Sequence, residues 1–487
     1  MNLLYIAVPG AIFLFALSYL NWRRTVKAVL ILVVAEGAIR KWILPQASDF
    51  IYLVKDLALL GAYARYFYSG NDSKPAEGFR GVKTLLSIAT VIIGIQIFNL
   101  NLGSVTVGVF GFKAYLLYAP LCFMMRDMFQ STEELKSFLE RYLLLIIPVC
   151  LLGIVQYYSP IDSPINSYVT EGDVVGISLG DLQRARITGT FSYITGHATY
   201  LFLCMALLFP LLTTGPKKIW LILFLGELTL VVGNIFMTGS RAPAFSGLLF
   251  FAGFLFFNQM SKGRQERSTS TTLIIAGALG AIGSLYWFGE AYETFLYRAT
   301  TSDSASERIA GGYLDPFSLL EDAGFGGYGS GSTHPGGMVI RQQLGLPGPN
   351  LAPPDAEIET GRVLLELGVI GFAVWYALRF YLIWALWRTS RQLKTPFLRL
   401  LALSAFLTHA IQISNQLVLN ATFGVYFWFL AGFIFLLPRL DSIGEHKFSY
   451  GLGFRHSNYL KPEQAGLAQR PDPVHFRLTQ TSGDKSN

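Results

Sequence analysis

Several arginines stand in polar motifs that are far apart in the chain but share one kind of chemistry. Arg186 opens the run that ends at Phe191, Arg241 closes Thr238-Gly239-Ser240-Arg241, and Arg308 lies in a longer polar segment. An arginine guanidinium stays charged at any relevant pH, and its planar fork of donors matches phosphate oxygens. Arginines that converge would form a diphosphate site; the alternative is that each one snorkels to a membrane interface.

The longest polar segment runs from Glu290 to Thr360 and is rich in glycine and proline. Its ionisable side chains include Arg308, Arg341, His334, Asp355, Glu357 and Glu359. The glycine-rich run from Gly324 to Gly331 lacks the Lys-Ser/Thr of a P-loop, so we predict tight turns there rather than a nucleotide site. A large polar loop in a membrane protein is a common place for function.

The rest of the chain indicates a membrane protein. Of its 487 residues 52% are hydrophobic and 14% charged, with a mean hydropathy of +0.44; a soluble domain has about 25% charged residues. Apolar stretches recur near the ~20 residues that cross a bilayer, which predicts an all-α polytopic transmembrane bundle of about thirteen spans. We expect an integral membrane domain over residues 1–440, which includes one large extracytoplasmic loop at 290–360, and a disordered cytoplasmic tail over 441–487.

The positions of lysine and arginine predict the orientation. Alternate short loops carry them, and this pattern predicts an extracytoplasmic N-terminus and a cytoplasmic C-terminus. The first apolar stretch has no charged segment before it and no cleavage site, so we interpret it as a retained helix. The net charge of +7 then reflects topology, and no nucleic-acid partner is expected. Cys122, Cys150 and Cys204 lie in apolar stretches without metal-type spacing, so we expect neither a disulfide framework nor a zinc site.

Four features in order resemble the bacterial O-antigen ligase and polymerase superfamily. They are Arg-x-x-Gly-Thr-Phe at Arg186 to Phe191, Gly-Ser-Arg at Gly239 to Arg241, a long late loop with a glycine-rich centre, and Glu-Leu-Gly-Val-Ile-Gly at Glu366 to Gly371. The resemblance spans roughly Tyr142 to Trp387. Each motif is short, so the resemblance depends on their order and sidedness together.

The resemblance implies metal-independent, inverting glycosyl transfer without a cofactor at the periplasmic face of the bacterial inner membrane, in O-antigen or exopolysaccharide assembly. The donor would be a glycan on undecaprenyl diphosphate and the acceptor a sugar hydroxyl. Arg186, Arg241 and Arg308 would bind the diphosphate and stabilise the charge that grows on it as the bond to the sugar breaks. The other partners would be the lipid bilayer and further polysaccharide-assembly proteins.

A base must accept the proton of the acceptor hydroxyl. Many ligases of this superfamily place a histidine nine residues before the glutamate of the Glu-x-Gly element, and this chain has Glu357 there. A carboxylate can serve if burial raises its pKa. We therefore predict Glu357 as the base, with Glu359 and His334 as further candidates. Helix capping is the alternative role for the two acids.

Other functions stay open at this stage. The departure at Glu357 leaves polymerase and ligase activity both possible. The main alternative is a transporter or flippase of lipid-linked saccharide, with a polar path formed by Glu36, Arg40, Lys55, Asp56 and His409; pairing between neighbouring helices would explain the same residues. A third is a non-catalytic component of envelope assembly.

Overall fold

The computed structural model describes residues 4–68, 80–169, 177, 184–259, 264–301, 314, 316–356 and 358–444. Within them the chain is all-helical: helices hold 79% of these residues, and they form no strand. The predicted base Glu357 and the predicted phosphate ligand Arg308 lie outside the described residues, as do residues 445–487 of the predicted tail.

The α-helices of the described part follow in a simple order. They are α1 Leu4–Leu20, α2 Trp22–Ala38, α3 Ser48–Tyr68, α4 Arg80–Gln96, α5 Val105–Leu116, α6 Leu121–Met124, α7 Thr132–Leu143, α8 Ile146–Tyr158, α9 Ile194–Thr213, α10 Lys218–Met237, α11 Arg241–Gln259, α12 Arg264–Thr301, α13 Leu320–Ala323, α14 Pro335–Gln343, α15 Glu359–Gln392, α16 Pro396–Ile411 and α17 Ala421–Ala431. A π-helical turn, Ile39–Ile43, extends α2.

Eight helical segments of the described chain are long and apolar enough to cross a bilayer, judged by length and composition. They are Val105–Asp127, Thr132–Tyr158, Ile194–Thr213, Lys218–Met237, Arg241–Gln259, Ile274–Tyr297, Glu359–Gln392 and Ala421–Gly444. Val8–Leu20 and Pro396–Ile411 are apolar but shorter. Helices α2 and α4 have 17 residues each, and α3 carries Lys55, Asp56 and Arg65. The chain is thus a helical membrane protein, while the predicted total of about thirteen spans is not confirmed.

Helix α9 is the central helix of the bundle. Its apolar window is 94% buried, because it packs against α7, α10, α11, α12, α16 and α17. Helix α11 differs: only 22% of its window is buried, and it exposes Phe245 and Leu248. Such an apolar outer surface suits contact with lipid, and packing rather than water exclusion then holds the helices together.

Contacts between distant segments group at two ends of the bundle. At one end Arg23 donates to the carbonyl oxygen of Asp127 over 2.8 Å, and Lys27 pairs with Glu134 at 2.8 Å. This basic end gathers loops that the charge pattern predicts to be cytoplasmic. At the other end Asn420 contacts Thr195. This second end carries the two motif arginines, and we call it the motif end.

The buried charges of α2, α3 and α5 form ion pairs. Lys55 Nζ lies 2.8 Å from a carboxylate oxygen of Glu36, and Arg40 lies 3.6 Å from the other oxygen. Lys113 lies 2.7 Å from Asp56. Paired charges of both signs are the arrangement in which ionisable groups are tolerated among apolar helices. This set therefore matches the expectation of pairing between neighbouring helices.

The glycine-rich run Gly324 to Gly331 forms turns that dock onto a kink in α15. The amide of Tyr328 donates to Leu365 over 2.7 Å, and the amide of Val369 donates to Gly324 over 3.0 Å. Gly368 at the kink has a φ of +67°, and a Cβ there would lie 2.3 Å from the carbonyl oxygen of Phe325. Only glycine allows this backbone and this approach.

The polar segment begins later in the structure than the sequence predicts. Helix α12 has a kink at Phe288, and the residues from Glu290 to Thr301 that follow it are helical, so the predicted loop start at Glu290 is wrong. The first residues of the polar segment carry enough helix-forming side chains to form about three helical turns after the kink. At its other end, the described chain enters α15 at Glu359.

Candidate functional site

The segment that carries Arg186 is held in place by two side chains from other helices. The buried side-chain oxygen Oε1 of Gln156 accepts hydrogen bonds from the backbone amides of Thr188 and Gly189, at 3.1 and 2.7 Å. Lys41 donates to Thr188 Oγ1 and to the carbonyl oxygen of Gly189, both over 2.9 Å. The turn at Gly189 has a φ of +52°. These bonds fix the backbone on which Arg186 is mounted.

Arg186 reaches across to the junction between α10 and α11. Its Nε donates to the carbonyl oxygen of Thr238 over 3.0 Å, and its Nη2 donates to Ser240 Oγ over 2.9 Å. Gly239, between them, has a φ of +62° and turns the chain toward Arg241. Arg241 begins α11 and is partly buried. Thus Arg186 is bonded to the residue that directly precedes Arg241, and the two motifs meet at the motif end.

Arg184 provides an informative contrast with its neighbour. It lies two residues before Arg186, but its Nε donates to a carboxylate oxygen of Glu290 over 2.8 Å, and the pair is largely exposed. Its guanidinium also lies over the rings of Tyr157 and Tyr158. The positive charge of Arg184 is therefore matched by an acid of α12, whereas Arg186 is bonded to the α10–α11 junction.

A partly enclosed cavity of about 110 Å³ lies beside this junction. Its walls come from the first turns of α9 and α11 and from the connection between α16 and α17. Its polar lining consists of Thr195, Thr199, Ser240, Ser246, Gln412 and Asn415, and its apolar lining of Ala198, Phe202, Ala242, Pro243 and Phe423. Among the described residues that line it, no side chain is charged. Because Ser240 also accepts the hydrogen bond from Arg186, the cavity and the arginine motifs are continuous.

Glu359 lies in a buried network close to the cavity wall. Glu359 and Arg379 have 1% of their side chains exposed and form an ion pair at 3.4 Å. The second oxygen of Glu359 accepts from the amide of Val418 over 2.8 Å, and Arg379 donates to the carbonyl oxygen of Gln412 over 2.9 Å. The pair thereby anchors the connection that carries two cavity residues. This arrangement gives Glu359 an internal structural role.

His334 caps helix α14. Its Nδ1 accepts a hydrogen bond from the amide of Gly336 over 3.0 Å, and its ring packs edge-on against Phe110. Burial lowers the pKa of His334 to about 4, and the positive charges of Lys113 and Arg362 contribute in the same direction. His334 is therefore neutral at pH 7, and Nδ1 is occupied in the fold.

Several residues of this site are not evident from the sequence. Gln156 and Arg379 are single polar residues inside apolar stretches, and Lys41 directly follows Arg40 in another apolar stretch. Their position among apolar residues was the one available indication. Gln412 and Asn415 belong to a short connection with no motif. Of the predicted residues, the structure brings Arg186 to the junction that carries Arg241, while the binding and catalytic roles stay predictions. No protein-family model matches the chain, and no curated protein matches its sequence.

Proposed function

We propose that this protein is an enzyme that transfers a glycan from undecaprenyl diphosphate to a sugar hydroxyl at the periplasmic face, as a polymerase or a ligase. The observation that supports this most is the bonding of Arg186 to Thr238 and Ser240 at the start of α11. These bonds join two motifs whose bonded residues are 52 and 54 positions apart in the sequence. Beside them lies a cavity that has both apolar and polar walls and, among its described lining residues, no charged side chain.

The proposed reaction places three arginines on the leaving group. The acceptor oxygen attacks the anomeric carbon of the donor sugar, and the bond from that carbon to the diphosphate oxygen breaks. The electron pair remains on the diphosphate, where Arg186 and Arg241, with Arg308 as a third ligand, stabilise the added charge. Fixed donors that face developing charge give large rate effects because they need no reorganisation during the reaction.

The proton of the acceptor hydroxyl must go to a base. His334 uses Nδ1 as a helix cap, and both oxygens of Glu359 have internal partners. These contacts favour Glu357 among the three candidates, and we assign it the base role in the proposal. A carboxylate whose pKa is raised by burial can act as a general base for attack by a hydroxyl.

The test compares three arginines of one region in cells that make the polymer. Arg186→Ala and Arg241→Ala should each lower glycan transfer by roughly 10²–10³-fold, the usual effect of removing one donor to a developing oxyanion. Arg184→Ala is the matched control, since its charge pairs with Glu290, and it should retain transfer. Full-length polymer in both of the first two variants, at normal protein levels, would refute the proposal.

The same cells distinguish transfer from transport. An impaired transferase accumulates lipid-linked units on the periplasmic side, whereas an impaired flippase accumulates them on the cytoplasmic side. Labelling of the intermediates from the periplasmic side should therefore increase in Arg241→Ala cells. A decrease in that labelling would favour the flippase function instead.

A further inference from the structure

We propose that the cavity between α9, α11 and the α16–α17 connection binds the sugar ring that is bonded directly to the lipid diphosphate. This inference rests on the proposed function, because it takes Arg186 and Arg241 as the diphosphate ligands. It adds a substrate class, a neutral sugar, and names the side chains that recognise it.

The chemistry of the cavity walls suits an uncharged, hydroxyl-rich ligand. Hydroxyl and amide side chains can each donate and accept hydrogen bonds, which matches the mixed donors and acceptors of a sugar. Phe202, Phe423 and Pro243 offer apolar surface to the C–H face of a ring. A charged ligand group would find no opposite charge among the lining side chains. Sites for small polar ligands commonly combine apolar walls with a few placed polar groups.

Several of these polar side chains are free to bind a ligand. Within the described part of the chain, the side-chain amides of Gln412 and Asn415 make no hydrogen bond to protein, and the same holds for the hydroxyls of Thr195 and Ser246. Gln412 is buried as a residue, Asn415 and Ser246 are half-buried, and Thr195 is exposed. Each of these side chains can donate and accept hydrogen bonds to a ligand in the cavity.

The position of the cavity fits the sugar next to the diphosphate. Ser240 lines the cavity and accepts from Arg186, and Ala242 lines it directly after Arg241. A group held in the cavity therefore lies next to whatever the two arginines bind. A buried water needs roughly 10–15 Å³ by a comparable measure, so a cavity of about 110 Å³ is much larger than a single water site and can admit part or all of one sugar ring.

The walls are fixed before any ligand binds. Arg379 holds the backbone of Gln412, and the side chain of Asn420 donates to the carbonyl oxygen of Thr195 and to Thr199 Oγ1, at 3.4 and 3.2 Å. Asn420 also caps α17 through the amide of Phe423. Preorganised walls lower the entropic cost of binding, which favours selection of one sugar over others.

The test compares the binding of two kinds of lipid to the full-length protein in lipid nanodiscs. The first is bare undecaprenyl diphosphate, and the second is a set of undecaprenyl diphosphates that each carry one neutral hexose or N-acetylhexosamine. At least one sugar-bearing lipid should bind wild-type protein about tenfold or more tightly than the bare lipid, equivalent to about 1.4 kcal/mol. Gln412→Ala and the milder Asn415→Ser should remove most of that difference and leave bare-lipid affinity unchanged.

Gln416→Ala is the matched control, because Gln416 lies in the same connection but does not line the cavity; it should keep the full preference. Equal wild-type affinity for bare and sugar-bearing lipids would overturn the sugar site while the diphosphate site stands. An equal loss of both affinities in Gln412→Ala and Asn415→Ser would also overturn it. Failure of wild-type protein to bind even the bare lipid would instead overturn the proposed function, and this inference with it.

Discussion

The buried pair of Glu359 and Arg379 makes a prediction about stability that separates a structural role from a catalytic one. Each side chain is 1% exposed, and their charged groups are 3.4 Å apart. Glu359→Gln preserves shape and an acceptor for the amide of Val418 but leaves the arginine charge without its acid. Arg379→Met leaves the carboxylate charge buried. Breaking a buried pair from one side costs about 3–5 kcal/mol.

The double variant should be milder than the sum of the single variants. With both charges removed, the remaining losses are neutral hydrogen bonds to Val418 and Gln412, at about 1–3 kcal/mol for each group left unsatisfied. At about 2–4 °C per kcal/mol for a large domain, we expect each single variant to lower the apparent Tm by roughly 6–20 °C. The Tm of purified protein in detergent measures this, with exposed Asp355→Asn as the control.

Two results would refute this account of Glu359. Strictly additive losses of Tm in the double variant would show that the two charges are not coupled. Unchanged Tm in Glu359→Gln together with abolished glycan transfer would assign Glu359 a catalytic role and remove the structural one. Partial transfer in proportion to folded protein is the outcome that we expect.

Three further predictions concern pH, the backbone and metal. The pKa of His334 is lowered to about 4 from an ordinary value near 6.5, so the unfolded chain binds a proton more readily than the folded protein. The Tm should therefore fall as the pH drops from about 6.5 to 4. The variant His334→Asn, which can still accept the hydrogen bond from the amide of Gly336, should lessen that fall. Gly368→Ala should lower the Tm strongly, since its Cβ would lie 2.3 Å from the carbonyl oxygen of Phe325. The control is Gly226→Ala, where a Cβ meets no atom within 4 Å. Equal Tm values in the two variants would contradict the docking of the glycine-rich turns onto α15. Chelation by EDTA should leave transfer by purified protein within about twofold, since arginine rather than metal stabilises the leaving group; loss of transfer that Mg²⁺ restores would contradict that assignment.

The sequence was sufficient to predict the helical fold and to identify the two arginine motifs, for different reasons. Long apolar stretches leave few alternatives to spanning helices, and polar motifs at the ends of such stretches are easily seen. The bonds that hold Arg186 could not be predicted in the same way. Gln156 and Lys41 are remote in sequence, and only the packing of their helices brings them to Gly189.

The boundaries and the internal partners were harder to predict. Polar residues after Glu290 suggested a loop, but helix propensity continues α12 to Thr301. Glu359 stood beside Glu357 as a possible base, yet its partner Arg379 lies twenty residues further along the same helix and past the kink at Gly368. A bend of that kind depends on the docked glycine-rich turns, which sequence periodicity does not contain.

The most direct test of the account is whether Arg186 and Arg241 bind a lipid diphosphate together. Binding of undecaprenyl diphosphate and of undecaprenol to wild-type protein in nanodiscs should differ by at least about a hundredfold, since each charged hydrogen-bond donor contributes about 1.5–3 kcal/mol. Arg186→Ala and Arg241→Ala should each weaken diphosphate binding by about tenfold or more, and Arg184→Ala should not change it. Equal affinity for the diphosphate in all four proteins would contradict the central claim.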